Sequence, residues 1–157
     1  MSAVIRLARR DDVPAIVGLF ADDQGGRSSP EHVTLGPGQL AAFDAIAQQP
    51  DNSVYVAERD GGVVGTFQLT FIRQLSYGGC LVAQIESVHV HSSQRGQRIG
   101  EQMMRFAIEL ARQRGALRVQ LTSNVRRERA HRFYERLGFE PSHVGMKLYL
   151  GVRGPAE

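Results

Sequence analysis

The spacing of apolar side chains along the 157 residues changes period several times, and each change marks an element. Residues 3–8 (AVIRLA) read as a short strand. Asp11 or Asp12 is placed to cap a helix with Pro14 in its first turn, and Val13, Ile16, Val17 and Phe20 then repeat at helical spacing. Residues 22–38 are rich in Gly, Pro and Ser and read as a loop or broken helix. A second helix is predicted over 38–48, with Leu40, Phe43, Ile46 and Ala47 on one face.

The period then shortens to two. Residues 53–59 and 63–72 flank Asp60-Gly61-Gly62, a hairpin signal, and a third run, 80–90 (CLVAQIESVHV), follows the turn at Tyr77-Gly78-Gly79. In that run Ile85, Ser87 and His89 are predicted to face one way, and Glu86, Val88 and Val90 the other. Ile99, Met103, Phe106, Ala107, Leu110 and Ala111 form one buried helical stripe, with Gly115 placed to end it. Leu117, Val119 and Leu121 alternate as in a strand. Residues 127–137 read as a helix stopped by Gly138, and a last strand is predicted over 144–150 from Val144, Met146, Leu148 and Leu150. The order β-α-α-β-β-β-α-β-α-β predicts an α/β (α+β) fold: a mixed, mostly antiparallel twisted sheet with helices on both faces. The unit 80–122 is expected to be a parallel crossover.

The length suits one domain, taken as residues 1–151, with 152–157 as a C-terminal tail. No run reaches the roughly 18 apolar residues of a membrane span, and the N-terminus lacks a signal-peptide stretch, so no membrane partner and a cytoplasmic location are expected. Cys80 is the single cysteine, which rules out an internal disulfide. No His/Cys cluster has metal-ligand spacing, so no metal is expected. The net charge of +3 is uneven: residues 1–94 carry −4 and residues 95–157 carry +7. A basic half suits an anionic small ligand, a nucleic acid, or plain solvation.

The segment Arg95-Gly96-Gln97-Arg98-Ile99-Gly100 narrows this choice. It follows a strand and opens the best-patterned helix. Glycines let the backbone turn its N–H groups inward, and a helix start adds unsatisfied N–H groups with a partial positive charge. The combination suits phosphate or pyrophosphate. The Walker pattern is absent, since no Gly-Lys-Ser/Thr follows, and so is the three-glycine dinucleotide fingerprint. Read on its own, the segment is also compatible with a plain strand-to-helix turn.

Residues 95–100 resemble the acetyl-CoA signature of the GNAT N-acetyltransferase superfamily, (Arg/Gln)-x-x-Gly-x-(Gly/Ala), with Arg98 standing where the family has its middle glycine. The block Asn124, Ala130, Phe133-Tyr134-Glu135, Leu137-Gly138-Phe139 is similar to that family's closing motif. The stretch from Leu121 to His143 is similar to aminoalkylphosphonate N-acetyltransferases. The resemblance implies acetyl-CoA as cosubstrate, with Val88, His89, Val90, Arg95, Gly96, Gln97, Arg98, Ile99, Gly100, Asn124 and Tyr134 around it. It implies a small-molecule amine as acceptor, and at family level a homodimer. For Asn124, capping the next helix stays open as the other reading.

Acetyl transfer needs a neutral amine, yet an alkyl amine of pKa about 10 is mostly protonated near neutral pH. A base must therefore help to remove a proton, and an acid can protonate the departing thiolate. Glu86, a carboxylate in an apolar strand nine residues before Arg95, is the candidate base. Tyr134 is by resemblance the acid. The acetyl carbonyl is expected against backbone N–H near His89 and Val90. Cys80 has no base beside it in sequence, so direct transfer is preferred to an acyl-enzyme. Asp22, Asp23, Arg27 and His32 lie in the loop that in this family covers the acceptor, and are the candidate substrate-binding residues. Alternative readings are a protein or peptide N-acetyltransferase, a non-catalytic CoA-binding sensor, and an RNA-binding module. The last lacks aromatic-rich strand motifs and a lysine-rich tract, so no nucleic-acid partner is expected.

Overall fold

The computed structural model describes residues 2–23 and 34–151. Its centre is a five-stranded sheet in the order β1-β2-β3-β4-β5. The strands are β1 Val4–Leu7, β2 Asn52–Arg59, β3 Gly62–Arg73, β4 Leu81–Val90 and β5 Arg118–Leu121. β1 to β4 run as an antiparallel meander, and β5 lies parallel to β4. Asp60 and Gly61 both take positive φ (52° and 77°), the type I′ geometry that closes a two-residue hairpin.

Helix α1 (Val13–Asp23) follows a 3-10 turn at Arg10–Asp12, and α2 spans Pro37–Ala47. α1 packs on β3 and β4, burying Val13, Ile16, Val17 and also Leu19 on the side of the sheet that Val56 and Val82 face. No residue of α2 is buried; Leu40, Phe43 and Ile46 are half-buried and Ala47 is exposed. On the opposite face lie α3 (Ile99–Gln113) and α4 (Glu128–Arg136). There Ile99, Met103, Met104, Ala107 and Ala111 join Ala57, Phe67, Leu69, Phe71, Leu81, Ala83, Ile85 and Tyr134 in the main core. Gly65 lets α3 approach β3 closely: a Cβ there would stand 2.7 Å from Met103 Sδ and 3.2 Å from His89 O.

Both long helices of this face end on a glycine in the left-handed region. Ala116 N–H reaches Ala111 O and Gly115 N–H reaches Arg112 O, both at 2.9 Å. Phe139 N–H likewise reaches Tyr134 O (3.1 Å) and Gly138 N–H reaches Glu135 O (2.9 Å). These are the paired bonds of the Schellman cap.

The strand expected over 144–150 is corrected. Those residues join no ladder, and Val144, Met146, Leu148 and Leu150 are 83–91% exposed. An alternating pattern becomes a strand only where an edge receives it, and in this single chain the outer edge of β5 does not. The predicted tail, 152–157, lies outside the described residues.

Candidate active site

The site begins where β4 and β5 part. Their parallel ladder runs from Val82↔Arg118 to Ile85↔Leu121 and stops. Two residues later Ser87 takes φ 52°, and the β3 register slips from Gln68↔Glu86 to Thr66↔His89. β4 thus carries one extra residue, a bulge. The bulge corrects the expected alternation of this strand. Val88 and Val90 pack on the same cluster as Ile85, while the His89 ring lies 4.9 Å from that of Phe20 on α1. Glu86, just before the bulge, alternates with buried Ile85 and is exposed.

The bulge also sets the backbone polarity of the fork. His91 N–H donates to Val64 O on β3 (2.9 Å). Alternate amides along a strand point to opposite sides. The N–H groups of Val88 and Val90 therefore face the side that β5 has left. Val90 O, on that same side, accepts from Arg95 Nε at 3.4 Å.

Beyond the strand, a 3-10 turn at Ser92–Gln94 leads into Arg95, Gly96 (φ 80°), Gln97 and Arg98 (φ 62°, ψ 15°). Arg98 is the N-cap of α3 and makes no side-chain cap bond. The first intrahelical bond is Gln102 N–H to Arg98 O (3.0 Å), which leaves the N–H groups of Ile99, Gly100 and Glu101 without one. With the helix dipole behind them, these groups suit an anion. Gly100 faces Phe133 and Val90, and a Cβ there would make ordinary van der Waals contact with Phe133 Cζ at 3.5 Å and Val90 Cγ2 at 3.7 Å. Arg105, bonded to the Glu101 carboxyl, holds it below the usual carboxylate range, and the nearby Arg98 and Arg136 act in the same direction.

Two partners that sequence reasoning missed brace this turn. Arg59, at the end of β2, donates to Gln94 Oε1 (3.1 Å) and to Gln97 Oε1. Ser92 donates to Asp22 through its N–H (2.6 Å) and its hydroxyl (2.8 Å). These bonds draw the Asp22 carboxyl below its usual range. Asp22, expected to meet substrate, thus ties the end of α1 to the turn. Asp23 closes α1 and its side chain is not described; Arg27 and His32 lie outside the described residues.

On the far wall, Tyr134 is buried in the main core, with ring centroids 5.2 Å from Phe133 and 5.8 Å from Phe139. Asn124 Oδ1 accepts from Arg126 N–H (2.9 Å), and its carbonyl accepts from His131 Nε2 (2.8 Å). Its oxygens therefore organise the turn before α4, whose N-cap is Arg127 with no side-chain cap bond. Cys80 precedes β4, six residues before Glu86 and hence about 20 Å away along an extended strand. Among the described residues no group of three His, Cys, Asp or Glu side chains is placed to hold a metal, and no helix is long and apolar enough to cross a membrane.

Among known proteins, the chain is similar to the aminoalkylphosphonate N-acetyltransferase of Salmonella typhimurium, with 38% identity over 101 residues, 64% of this chain and 65% of that protein. It is also similar to the glucosamine 6-phosphate N-acetyltransferase of Trypanosoma brucei brucei, with 33% identity over 97 residues, 62% of this chain and 64% of that protein. The chain thus spans slightly under two thirds of the length of these curated relatives. A crystal structure from Bacillus halodurans C-125, described as a transcriptional regulator, superposes with a TM-score of 0.88 at 39% identity, covering 94% of this chain and 99% of that one. Residues 6–139, which contain the fork, the glycine turn and the Tyr134 helix, match the acetyltransferase (GNAT) family, and the chain belongs to it.

Proposed function

We propose that this protein is an acetyl-CoA-dependent N-acetyltransferase that moves the acetyl group directly to a primary amine of a small molecule. The observation that carries the reading is the fork between β4 and β5. It turns the Val88 and Val90 N–H groups into a gap that leads to the glycine turn and the start of α3. That donor set fits acetyl-CoA. The N–H groups of Gly96 and of residues 98–101, with Arg95 and Arg98, suit its pyrophosphate. The strand amides suit its amide-bearing arm and the acetyl carbonyl.

In the reaction the amine nitrogen forms a bond to the acetyl carbon, the carbon–sulfur bond breaks, and CoA leaves as thiolate. The amine must lose a proton and the thiolate must gain one. Glu86, exposed at the mouth of the fork, takes the first proton directly or through water. Tyr134 on α4 supplies the second. Cys80, at the other end of β4, takes no part, so no acyl-enzyme forms.

Both named relatives act on compounds that combine an amine with a phosphonate or phosphate, which sets the first compounds to try. A thiol-release assay with acetyl-CoA over aminophosphonates, amino-sugar phosphates, amino acids, polyamines and a peptide panel tests the reading. Release that depends on a small amine supports it. Turnover with peptides alone moves the assignment to protein substrates. Acetyl-CoA binding without turnover on any acceptor makes the chain a sensor.

A further inference from the structure

The sheet face that carries Glu86 is polar along one row. Before the bulge, Val82, Gln84 and Glu86 share that face. The ladders set Thr70 and Gln120 beside Gln84, Gln68 beside Glu86, and Asn52 beside Thr70. Asn52, Gln68, Thr70, Gln84 and Gln120 are all half-buried. Carboxamides in such a place cost free energy unless their polar atoms are satisfied, and most of these satisfy one another. Their hydrogen bonds form two chains, and each chain has a direction.

The first chain starts at Arg118, whose guanidinium can only donate. Its Nε donates to Gln120 Oε1 (3.0 Å), so the Gln120 carboxamide turns its nitrogen to β4 and donates to Gln84 Oε1 (2.8 Å). The Gln84 amide nitrogen is left as the open end, with no bond among the described residues. The second chain has the opposite polarity. Asn52 Nδ2 donates to Gln49 Oε1 (2.9 Å), and Asn52 Oδ1 accepts from Gln68 Nε2 (2.8 Å) and from the Thr70 hydroxyl (3.1 Å). Its open end is Gln68 Oε1, on the residue directly across from Glu86. Glu86 is thus flanked by one carboxamide fixed to accept and one fixed to donate.

We propose that Gln84 is a specificity-determining residue, which donates a hydrogen bond to an uncharged oxygen of the acceptor, whether hydroxyl, ether or carbonyl. Arg118 and Gln120 are the positioning residues that keep its donor outward. The proposal rests on the reading of Glu86 as the base at the fork. An amine held there can give one N–H to Glu86 and another to Gln68 Oε1. Gln84 lies two residues back along the strand, about 7 Å away, so a chain of about three carbons brings the acceptor's oxygen to it. An anion fits this point less well than a neutral oxygen. The Glu86 carboxylate stands on the same face, and the Arg118 guanidinium is engaged with Gln120 and with Gln74 Oε1 (3.4 Å).

The test uses the full chain and compares 3-methoxypropylamine with pentylamine, which has a methylene in place of an ether oxygen that can only accept. Wild type is expected to favour the ether in kcat/KM by about three- to tenfold, the worth of one neutral hydrogen bond, and Gln84→Leu to lose that preference. Gln120→Glu leaves Gln84 in place but reverses it. The new carboxylate accepts from both Arg118 and the Gln84 amide nitrogen, which turns Gln84 Oε1 outward. This variant is expected to lose the ether preference yet keep a preference for 3-amino-1-propanol over butylamine, because a hydroxyl can also donate. A merely structural role for Gln120 would move both ratios together or neither, and this arm decides the matter if the leucine variant misfolds. An ether preference absent from wild type, or unchanged in Gln120→Glu, overturns the proposal while amine turnover stands. No turnover of any of these amines overturns the small-amine reading and the proposal with it.

Discussion

Arg98 is the residue at which the cofactor turn departs from the family pattern, and its backbone shows why a glycine is the usual occupant. It caps α3 at φ 62°, ψ 15°, in the left-handed region, with no side-chain cap bond in return. That conformation costs a non-glycine residue about 1–2 kcal/mol. Arg98→Gly removes the strain but adds about 0.5–1 kcal/mol of unfolded-state entropy. The net expectation is stabilisation of about 0.5–1 kcal/mol, which raises Tm by roughly 1–4 °C for a domain of this size. Binding moves the other way. One exposed guanidinium near a polyanionic ligand contributes about 0.5–1 kcal/mol, so KM for acetyl-CoA rises about two- to fivefold at low salt. Salt screens that contribution, so the gap from wild type narrows as ionic strength increases. Thermal denaturation and initial rates at two salt concentrations read both effects. A lower Tm would refute the strain argument, and a KM unchanged at low salt would refute a role for Arg98 in holding the anion.

Three further outcomes follow from the same geometry. Tyr134→Phe keeps the ring in its core contacts with Phe133 and Phe139 and removes only the hydroxyl, so kcat is expected to fall about 10²–10⁴-fold with acetyl-CoA KM nearly unchanged; a normal kcat in the pH–rate profile would leave Tyr134 a packing residue. Gly65→Ala places a methyl 2.7 Å from Met103 Sδ and 3.2 Å from His89 O, costing about 1–3 kcal/mol. Combined with Met103→Ala it should cost less than the sum of the two single changes, and strict additivity in denaturant titrations would count against the clash. Asp12, whose carboxyl is held below its usual range first by hydrogen bonds from Arg6, contributes stability that is present above its unfolded value of about 3.9 and is lost as pH falls through its lower folded value. The Tm advantage of wild type over Asp12→Asn should therefore shrink between pH 6 and pH 3, and a constant gap would remove the ion pair from the account.

Much of this fold was legible because local chemistry and tertiary position agree. The hairpin at Asp60-Gly61, the glycine stops at 115 and 138, and the stripe of α3 each rest on a backbone rule that packing reinforces. The site was legible as a stretch but not as a geometry. Nothing in Glu86-Ser87-Val88 announces a bulge, because Ser carries no marker for positive φ. The strand was therefore read as unbroken, and the faces of Val88 and His89 were exchanged. Asp22 reads as a candidate substrate-binding acid because its partner Ser92 lies 70 residues away in sequence. The segment 144–150 has the right period for a strand, but period says nothing about whether a sheet edge receives it.

The central claim, that the turn after β4 holds acetyl-CoA, is tested most directly by isothermal titration of acetyl-CoA into wild type and Gly96→Asp. Gly96 is the position to change, because no atom lies within 4 Å of a Cβ built there and Asp tolerates its φ of 80° better than most residues. The variant should therefore fold, while setting a negative charge against the pyrophosphate. The account predicts saturable one-to-one binding to wild type and at least a tenfold weaker Kd, about 1.4 kcal/mol or more, for the variant. Equal affinities in two equally folded proteins, or no binding to wild type at all, would contradict it.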